Sequence, residues 1–236
     1  MPASRGLANR IALITGASRG IGAAVAKRFA AEGAHVILAA RTVGGLEAVD
    51  DAIQNAGGKA TLVPMNLAED GKIEQLSAQV AERFGRLDIL VGNAAMLGDL
   101  TPLTHADVAM WDRVIATNIT ANWRLIRSFD PLLRVSDAGR AMFVTSGVTQ
   151  GVHPYWGPYA VSKAALEMLV KTYAAEVAST PVKVNLIDPG VVRTAMRAAA
   201  MPGENPMNLP APDTITDIFV KLSLPASKVH GSVAHA

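Results

Sequence analysis

A tyrosine and a lysine separated by three residues, Tyr159 and Lys163, carry the clearest chemistry in this sequence. That spacing is one helical turn, so both side chains would face the same side of a helix. A free phenol, with a pKa of about 10, is a poor general base at neutral pH. We expect the neighbouring ammonium group to lower that pKa, so that Tyr159 could take a proton from an alcohol or give one to a carbonyl oxygen.

Two further polar residues could serve the same site. Ser146 ends an apolar run and could donate its hydroxyl to the same substrate oxygen, although serines at strand ends are commonly turn or cap residues. Asn118 falls inside a predicted helix, where asparagine is a poor helix former. It could face solvent, or it could hold a water molecule that feeds protons to a buried lysine.

A glycine-rich turn, Thr15–Gly22, follows the apolar run Ile11–Ile14 and precedes an amphipathic stretch. A strand, a glycine turn and a helix start in this order can bind the pyrophosphate of a dinucleotide, because the helix amino end offers unpaired N–H groups. Glycine lets the backbone approach the phosphate closely. The spacing Gly-x3-Gly-x-Gly differs from Gly-x-Gly-x-x-Gly, and an ordinary glycine-rich turn is the alternative.

These residues need a scaffold, and the chain alternates apolar strands with helices. Nearly continuous apolar strands are typical of parallel sheets that are covered on both faces. The pattern predicts an α/β fold: a single-domain Rossmann-type, doubly wound parallel seven-stranded sheet of order 3-2-1-4-5-6-7, with helices on both faces. The predicted strands are 10–15, 35–40, 60–65, 87–92, 140–146, 182–187 and 229–234, and the predicted helices are 21–32, 44–55, 70–84, 107–133, 158–178 and 213–224.

The segment 189–212 is a long connection with five prolines and three methionines. Connections of this length are usually functional lids or disordered segments. It could be a plain mobile loop. We favour a substrate-covering loop, because it follows the carboxyl end of a strand, where this fold class binds ligands.

Composition excludes several function classes. The 236 residues carry a net charge of +2 with scattered Lys and Arg, so we expect no nucleic-acid partner. There is no cysteine, and the five histidines show no metal-ligand spacing, so we expect no metal. The leader Met1–Arg10 meets an apolar run too short for a signal peptide, and no apolar stretch could span a membrane. We expect one domain, residues 1–236, in the cytoplasm.

Together these features resemble the classical short-chain dehydrogenase/reductase family from Ile11 to about Val233. Twelve residues separate Ser146 from Tyr159, as is usual in the family. The resemblance implies that Tyr159 is the general acid/base, Ser146 orients and polarises the substrate oxygen, and Lys163 tunes Tyr159 and binds the nicotinamide ribose. Asn118 would complete a proton relay through water.

The resemblance also implies a set of ligand-binding residues. Val148, His153, Trp156 and Met196 would line the substrate cleft, although His153 could equally be a plain loop residue. The implied cofactor residues are Gly16, Ser18, Arg19, Gly20, Ile21, Gly22, Arg41, Asn66, Leu67, Asn93, Ala94, Tyr159, Lys163, Pro189, Gly190, Val192 and Thr194.

Two segments depart from the family pattern. The chain has Gly92-Asn93-Ala94-Ala95 where the family usually has Asn-Asn-Ala-Gly, so the backbone of Ala95 must avoid a positive φ. The common Asp-Val after the third strand is replaced by Asn-Leu at 66–67, and the amide can still reach an adenine amino group.

The end of the second predicted strand indicates which nicotinamide dinucleotide would bind. NAD-selective members have an acidic residue there, but this chain has Arg41. Arg41 and Arg19 could bracket a 2′-phosphate, although both could also be solvated surface arginines. We therefore expect NADP(H) to be preferred over NAD(H).

The resemblance thus implies an NADP(H)-dependent oxidoreductase that interconverts a carbonyl and an alcohol on a small or medium organic substrate. The alternative is a catalytically silent NADP(H)-sensing binding protein of the same fold. Family members usually form dimers or tetramers through two long helices, here 107–133 and 158–178, so we expect a homodimer or homotetramer.

Overall fold

The computed structural model describes residues 6–236 and contains one seven-stranded sheet. Every neighbouring pair of strands is parallel, and the order β3-β2-β1-β4-β5-β6-β7 confirms the predicted topology. The strands are β1 Ile11–Thr15, β2 His35–Ala40, β3 Lys59–Pro64, β4 Ile89–Gly92, β5 Arg140–Val144, β6 Lys183–Asp188 and β7 Val233–His235.

Helices connect the strands and cover both faces of the sheet. They are α1 Gly20–Ala31, α2 Val43–Asn55, α3 Lys72–Phe84, α4 Val108–Ile115, α5 Ala121–Val135, α6 Gly157–Glu176, α7 Ala195–Ala200 and α8 Thr216–Ser223. None of the helices described is both long and apolar enough to cross a membrane.

Successive side chains of the central strands enter two separate cores. Ala12 and Ile14 of β1 pack on the side of α1 with Phe29, whereas Leu13 packs on the opposite side with Phe129 of α5. Each large apolar side chain buried in this way contributes about 1.5–3 kcal/mol. The unbroken apolar runs of the sequence therefore reflect strands that are buried on both faces.

A buried carboxylate lies near the amino ends of β1 and β4, away from the glycine turn, and joins neighbouring segments there. Asp88, which directly precedes β4, accepts hydrogen bonds from the Ile11 N–H at 2.8 Å and from Arg10 Nη1 at 3.2 Å. It also accepts from Arg86 and Ser136. The charge is thus fully paired, as a buried carboxylate requires.

The predicted helix 107–133 is interrupted. A π-helical turn, Ala116–Thr120, separates α4 from α5. Such a turn accommodates one extra residue and is frequent at functional sites. The turn contains Asn118, whose side chain is bound by groups outside the helix.

The last strand lies later in the sequence than predicted. Residues 229–232 run beside β6, where side-chain hydrogen bonds accompany two backbone bonds. The Gly231 N–H donates to the Val184 carbonyl oxygen at 2.8 Å, and the Leu186 N–H donates to the Ser232 carbonyl oxygen at 2.9 Å. The Asn185 amide donates to the Val229 carbonyl oxygen at 2.9 Å, and His230 Nδ1 accepts from the Val184 N–H at 3.1 Å. Regular pairing begins only at Val233.

Two other predictions need comment. The segment 189–212 is not an unstructured loop, because it contains α7 and a 3-10 turn at Pro206–Asn208. The prediction for Met1–Arg10 falls partly on residues 1–5, which lie outside the described residues.

Candidate active site

The turn between β1 and α1 has a backbone that suits glycine alone. Gly16 and Gly20 have positive φ angles of 65° and 58°. A Cβ on Gly16 would lie 2.9 Å from the Asn93 amide nitrogen, and one on Gly22 would lie 2.4 Å from the Gly16 carbonyl oxygen. The turn is therefore packed tightly against the loop after β4, and Gly16 and Gly20, which lack a Cβ, line the cleft.

Thr15 and Asn93 join this turn to the loop after β4. The Thr15 hydroxyl accepts hydrogen bonds from the N–H groups of Asn93 and Ala94, both at 3.0 Å. The Asn93 amide donates to the Thr15 carbonyl oxygen at 2.9 Å. These bonds hold two loops at the carboxyl edge of the sheet as one cradle.

The amino end of α1 is available to an anion. Arg19 stands at the N-cap position in an extended conformation, and within the described chain no side chain caps the helix and no acidic residue lies in its first turn. The first N–H groups of α1 and the helix dipole therefore favour a phosphate group. The glycine turn thus fits the pyrophosphate of a dinucleotide.

The turn opens into a cleft of about 720 Å³ at the carboxyl ends of the strands. Among the described residues that line it, none is an aspartate or a glutamate. The cationic residues in its wall are Arg19, Arg41, Lys163, Arg193 and Arg197. This charge distribution suits a phosphorylated ligand.

Helix α6 brings Tyr159 and Lys163 to the wall of the same cleft. Lys163 Nζ lies 5.6 Å from the centre of the Tyr159 ring and donates to the Val144 carbonyl oxygen at 2.8 Å. Ser146, two residues after β5, places its hydroxyl beside the Tyr159 phenol. Tyr159 is 7% exposed and Lys163 2% exposed. The three side chains therefore lie together in the wall of one cleft.

Burial changes the proton affinity of both groups. Desolvation raises the pKa of Tyr159 above 10.0, the Ser146 hydroxyl acts to lower it, and the charge of Asp188 raises it further. Burial lowers the pKa of Lys163 from 10.5 to about 8. The direction of the Tyr159 shift is thus opposite to the lowering expected from Lys163 on the sequence alone, because desolvation is the largest effect on the pKa of the phenol. The phenol stays protonated at neutral pH.

Asn118 is fully buried, so it does not face solvent. Its Oδ1 accepts from the Met96 N–H at 2.8 Å, and its Nδ2 donates to the Met96 carbonyl oxygen and to Ser162 Oγ, both at 2.9 Å. The π-helical turn therefore lets Asn118 tie the loop after β4 to α6. Tyr159 and Lys163 lie on that same helix.

Most of the predicted site residues lie in the cleft wall. Gly22 and Asn118 instead lie behind it and support it. The predicted residues that line the cleft are Gly16, Ser18, Arg19, Gly20, Ile21, Arg41, Asn66, Leu67, Asn93, Ala94, Ser146, Trp156, Tyr159, Lys163, Pro189, Gly190, Val192, Thr194 and Met196.

The structure separates the four predicted substrate residues. Trp156 and Met196 line the cleft, whereas Val148 is buried and His153 is exposed outside it. The ring centres of Trp156 and Tyr159 are 6.2 Å apart. Its neighbour Tyr155 has a φ of 73°, a left-handed conformation that costs energy in a non-glycine residue.

The structure accommodates the residues that depart from the family pattern. The non-glycine residues with positive φ in the described chain are Asn9 and Tyr155, so Ala95 avoids the strained region. A Cβ at Gly92 would lie 2.4 Å from the Phe143 ring, which explains why a larger residue is absent there. Asn66 lines the cleft, and its side chain also accepts from the Ala68 N–H at 3.2 Å.

Sequence reasoning missed two residues of the site. The predicted glycine-rich turn begins at Thr15, but the sequence pattern indicates no role for the Thr15 hydroxyl, which organises the cradle. Asp188 is buried, and its Oδ1 accepts from the Gly190 N–H at 3.0 Å. An acidic residue directly before Pro189-Gly190 was the available signal.

Comparisons with known proteins agree with this geometry. A family model described as short chain dehydrogenase matches residues 10–205. The "Uncharacterized oxidoreductase YciK" of Escherichia coli (strain K12) is 36% identical over 219 residues, which cover 92% of this chain and 86% of the relative.

Solved structures extend the similarity to the whole fold. A short chain dehydrogenase from Salmonella enterica serovar Typhi has a TM-score of 0.95 at 33% identity, covering 100% of this chain and 98% of that one. A chain from Escherichia coli CFT073, crystallised with NADPH, has a TM-score of 0.91 at 35% identity and covers 98% of each. The chain therefore belongs to the short-chain dehydrogenase/reductase family and is an oxidoreductase with a nicotinamide cofactor site.

Proposed function

We propose that this protein is an NADP(H)-dependent oxidoreductase that interconverts a carbonyl and an alcohol on a small or medium organic substrate. The observation that carries the proposal is the convergence of Ser146, Tyr159 and Lys163 in the cleft that the glycine turn opens into. A nicotinamide bound there supplies or accepts the hydride.

The chain's own residues would hold the substrate oxygen and move its proton. Ser146 donates a hydrogen bond to that oxygen, and the protonated Tyr159 phenol gives it a proton during reduction. Lys163, still largely charged at neutral pH with its pKa of about 8, stabilises the phenolate that remains. In the oxidising direction Tyr159 must first lose its proton, so alcohol oxidation should rise with pH.

Asn118 would support this proton transfer. Its hydrogen bonds to Met96 and Ser162 fix the loop beside α6. We propose that the π-helical turn around Asn118 provides the route by which water resupplies protons to Lys163 and Tyr159.

The experiment is NADPH oxidation against a panel of ketones and aldehydes. Tyr159→Phe should abolish turnover but leave the dissociation constant for NADPH within about twofold of wild type, because only the proton donor is lost. Tyr155→Phe, which removes an exposed phenol four residues away, is the matched control. NADPH binding without turnover on any substrate would favour the silent sensor instead.

We propose that Arg19 and Arg41 select NADP(H) by binding its 2′-phosphate. Both line the cleft, and the similar Escherichia coli CFT073 chain was crystallised with NADPH. Arg41→Ala should weaken NADPH roughly tenfold or more and NADH little, since a hydrogen bond to a charged group contributes about 1.5–3 kcal/mol. The exposed Arg83, changed to Ala, is the control. An unchanged ratio of the two affinities would refute the assignment.

We propose that segment 189–212 covers the substrate. Met196, Ala199 and Ala200 of this segment line the cleft. Arg197 pairs with Glu204 at 2.6 Å and ties α7 to the following turn. Met207, by contrast, is 76% exposed and is not among the residues that line the cleft. Met196→Ala should therefore change substrate KM, whereas Met207→Ala should not.

We further propose a cytoplasmic homodimer or homotetramer. Trp123 on α5 and Val161 and Met168 on α6 are exposed apolar side chains on the two helices expected to pair. Burying them between copies would remove apolar surface from water. Analytical ultracentrifugation should find an oligomer that Met168→Lys weakens, and a monomeric wild type would exclude the interface. Cell fractionation tests the location.

A further inference from the structure

Glu167 lies on α6 one turn beyond Lys163, and its carboxylate faces the segment that follows β5. Its Oε1 accepts a hydrogen bond from Thr145 Oγ1 at 2.8 Å and another from Thr149 Oγ1 at 2.7 Å. The side chain is only 12% exposed. One carboxylate oxygen thus binds both residues together.

Those two threonines bracket Ser146. Thr149 also donates its N–H to the Ser146 carbonyl oxygen at 3.1 Å. Its hydroxyl oxygen lies 3.0 Å from that carbonyl oxygen, but its single proton makes the shorter bond to Glu167. Thr145 donates its N–H to the Ile187 carbonyl oxygen at 2.8 Å. Ser146 therefore sits in a short turn that is held to β6 on one side and to the Glu167 carboxylate on the other.

Glu167 is ionised at neutral pH. Burial acts to raise the pKa of its carboxyl group, but hydrogen bonds from Thr149, Thr145 and Lys171 more than compensate, so the pKa is lowered. The Lys171 contact, at 3.3 Å, lies on the exposed side. The two hydroxyls therefore face a charged acceptor, and such hydrogen bonds are stronger than neutral ones.

We propose that Glu167 is a positioning residue that holds the Ser146 hydroxyl beside the Tyr159 phenol. Tyr159, Lys163 and Glu167 follow one another at intervals of four on α6, so the helix that carries the proton donor also anchors the turn that carries Ser146. The inference rests on the proposed function, since it assigns Glu167 a part in the same reaction. A shift of a reacting group by about 1 Å can lower a rate on the order of 10².

The first test replaces Glu167 with methionine, which has similar length and good helix propensity but no carboxylate. We expect kcat to fall roughly 10- to 100-fold while the dissociation constant for NADPH stays within about twofold. Glu167→Gln keeps an acceptor oxygen and should recover most of kcat. Glu176→Met, the same change at an exposed position on the same helix, is the control.

The second test asks whether Glu167 acts through Ser146. In a Ser146→Ala background, Glu167→Met should lower kcat little further, because the hydroxyl that it positions is gone. An equal loss in both backgrounds, or a kcat of Glu167→Met within about twofold of wild type, would overturn the proposal. Thr149→Val removes one of the two hydroxyl donors to Glu167 and should reproduce part of the loss in kcat. It replaces Glu167→Met as the test variant if that protein folds poorly.

A structural measurement completes the design. A crystal structure of Glu167→Met should show the Ser146 hydroxyl moved away from the Tyr159 phenol, and an unmoved hydroxyl contradicts the inference. Failure of the proposed function looks different: wild type would then lack turnover, or Tyr159→Phe would retain it. An active wild type, an inactive Tyr159→Phe and a wild-type-like Glu167→Met would refute the role of Glu167 alone.

Discussion

The buried Lys163 makes a quantitative prediction about stability that does not depend on substrate. Its pKa is lowered by burial from 10.5 to about 8. The unfolded chain therefore binds the proton more tightly than the native chain does. Stability then rises with pH between the native and the unfolded pKa values, because the unfolded state holds more protons throughout that window.

The size of the effect follows from the pKa difference. At about 1.4 kcal/mol per pKa unit, the lowered pKa of Lys163 reduces the free energy of unfolding by roughly 3 kcal/mol at neutral pH. Between about pH 7 and about pH 9 wild type should gain roughly 1 kcal/mol of unfolding free energy relative to Lys163→Met, and more up to about pH 10.5. The absolute stability of Lys163→Met is less informative, because two effects oppose each other. The variant no longer buries a charge, but it also loses the hydrogen bond to the Val144 carbonyl oxygen.

Urea unfolding of wild type and Lys163→Met across this pH range measures the difference. Lys221→Met, which removes an exposed lysine at the end of α8, is the matched control and should give a flat difference. A flat difference for Lys163→Met as well would refute the reasoning, because it would mean that the ammonium group is not desolvated in the native protein.

The other predictions concern groups around the site and the sheet. Asp188→Asn keeps an acceptor for its backbone partner but removes a charge that raises the pKa of Tyr159, so the pH profile of alcohol oxidation should shift to lower pH. Asp88→Asn should lower the unfolding free energy by about 3–5 kcal/mol, measured by urea unfolding, because it breaks a buried ion pair. Gly22→Ala should abolish NADPH binding in a titration and lower stability, since its Cβ would lie 2.4 Å from the Gly16 carbonyl oxygen.

Much of the fold and site was predictable because the signals were local. The apolar runs located the strands within a few residues, and the glycine spacing identified the turn that faces the cleft. Tyr159 and Lys163 converge because helical geometry alone places them one turn apart. Proximity in sequence was a weaker guide to the substrate side, since Trp156 and Met196 line the cleft but Val148, only two residues from Ser146, does not.

The parts that were missed depend on contacts between distant segments. The hydrophobic pattern around Asn118 is that of a continuous helix, and the π-helical turn follows from partners on Met96 and Ser162. The boundary of β7 depends on contacts with β6, because the His230 and Asn185 side chains bond to the backbone across the two segments before the regular ladder begins at Val233. Likewise, the pKa of Tyr159 is set by how completely the fold excludes water, which spacing along a helix does not reveal.

These observations change how the site's electrostatics should be understood. Lys163 gives its hydrogen bond to the end of β5 instead of to the phenol, so its charge acts on Tyr159 through space. Burial of both groups also raises the free-energy cost of forming a phenolate, and desolvation has the largest effect on the pKa of Tyr159. On the proposed function, a phenol that is protonated at neutral pH would favour reduction there, and oxidation would require the phenol to be ionised first.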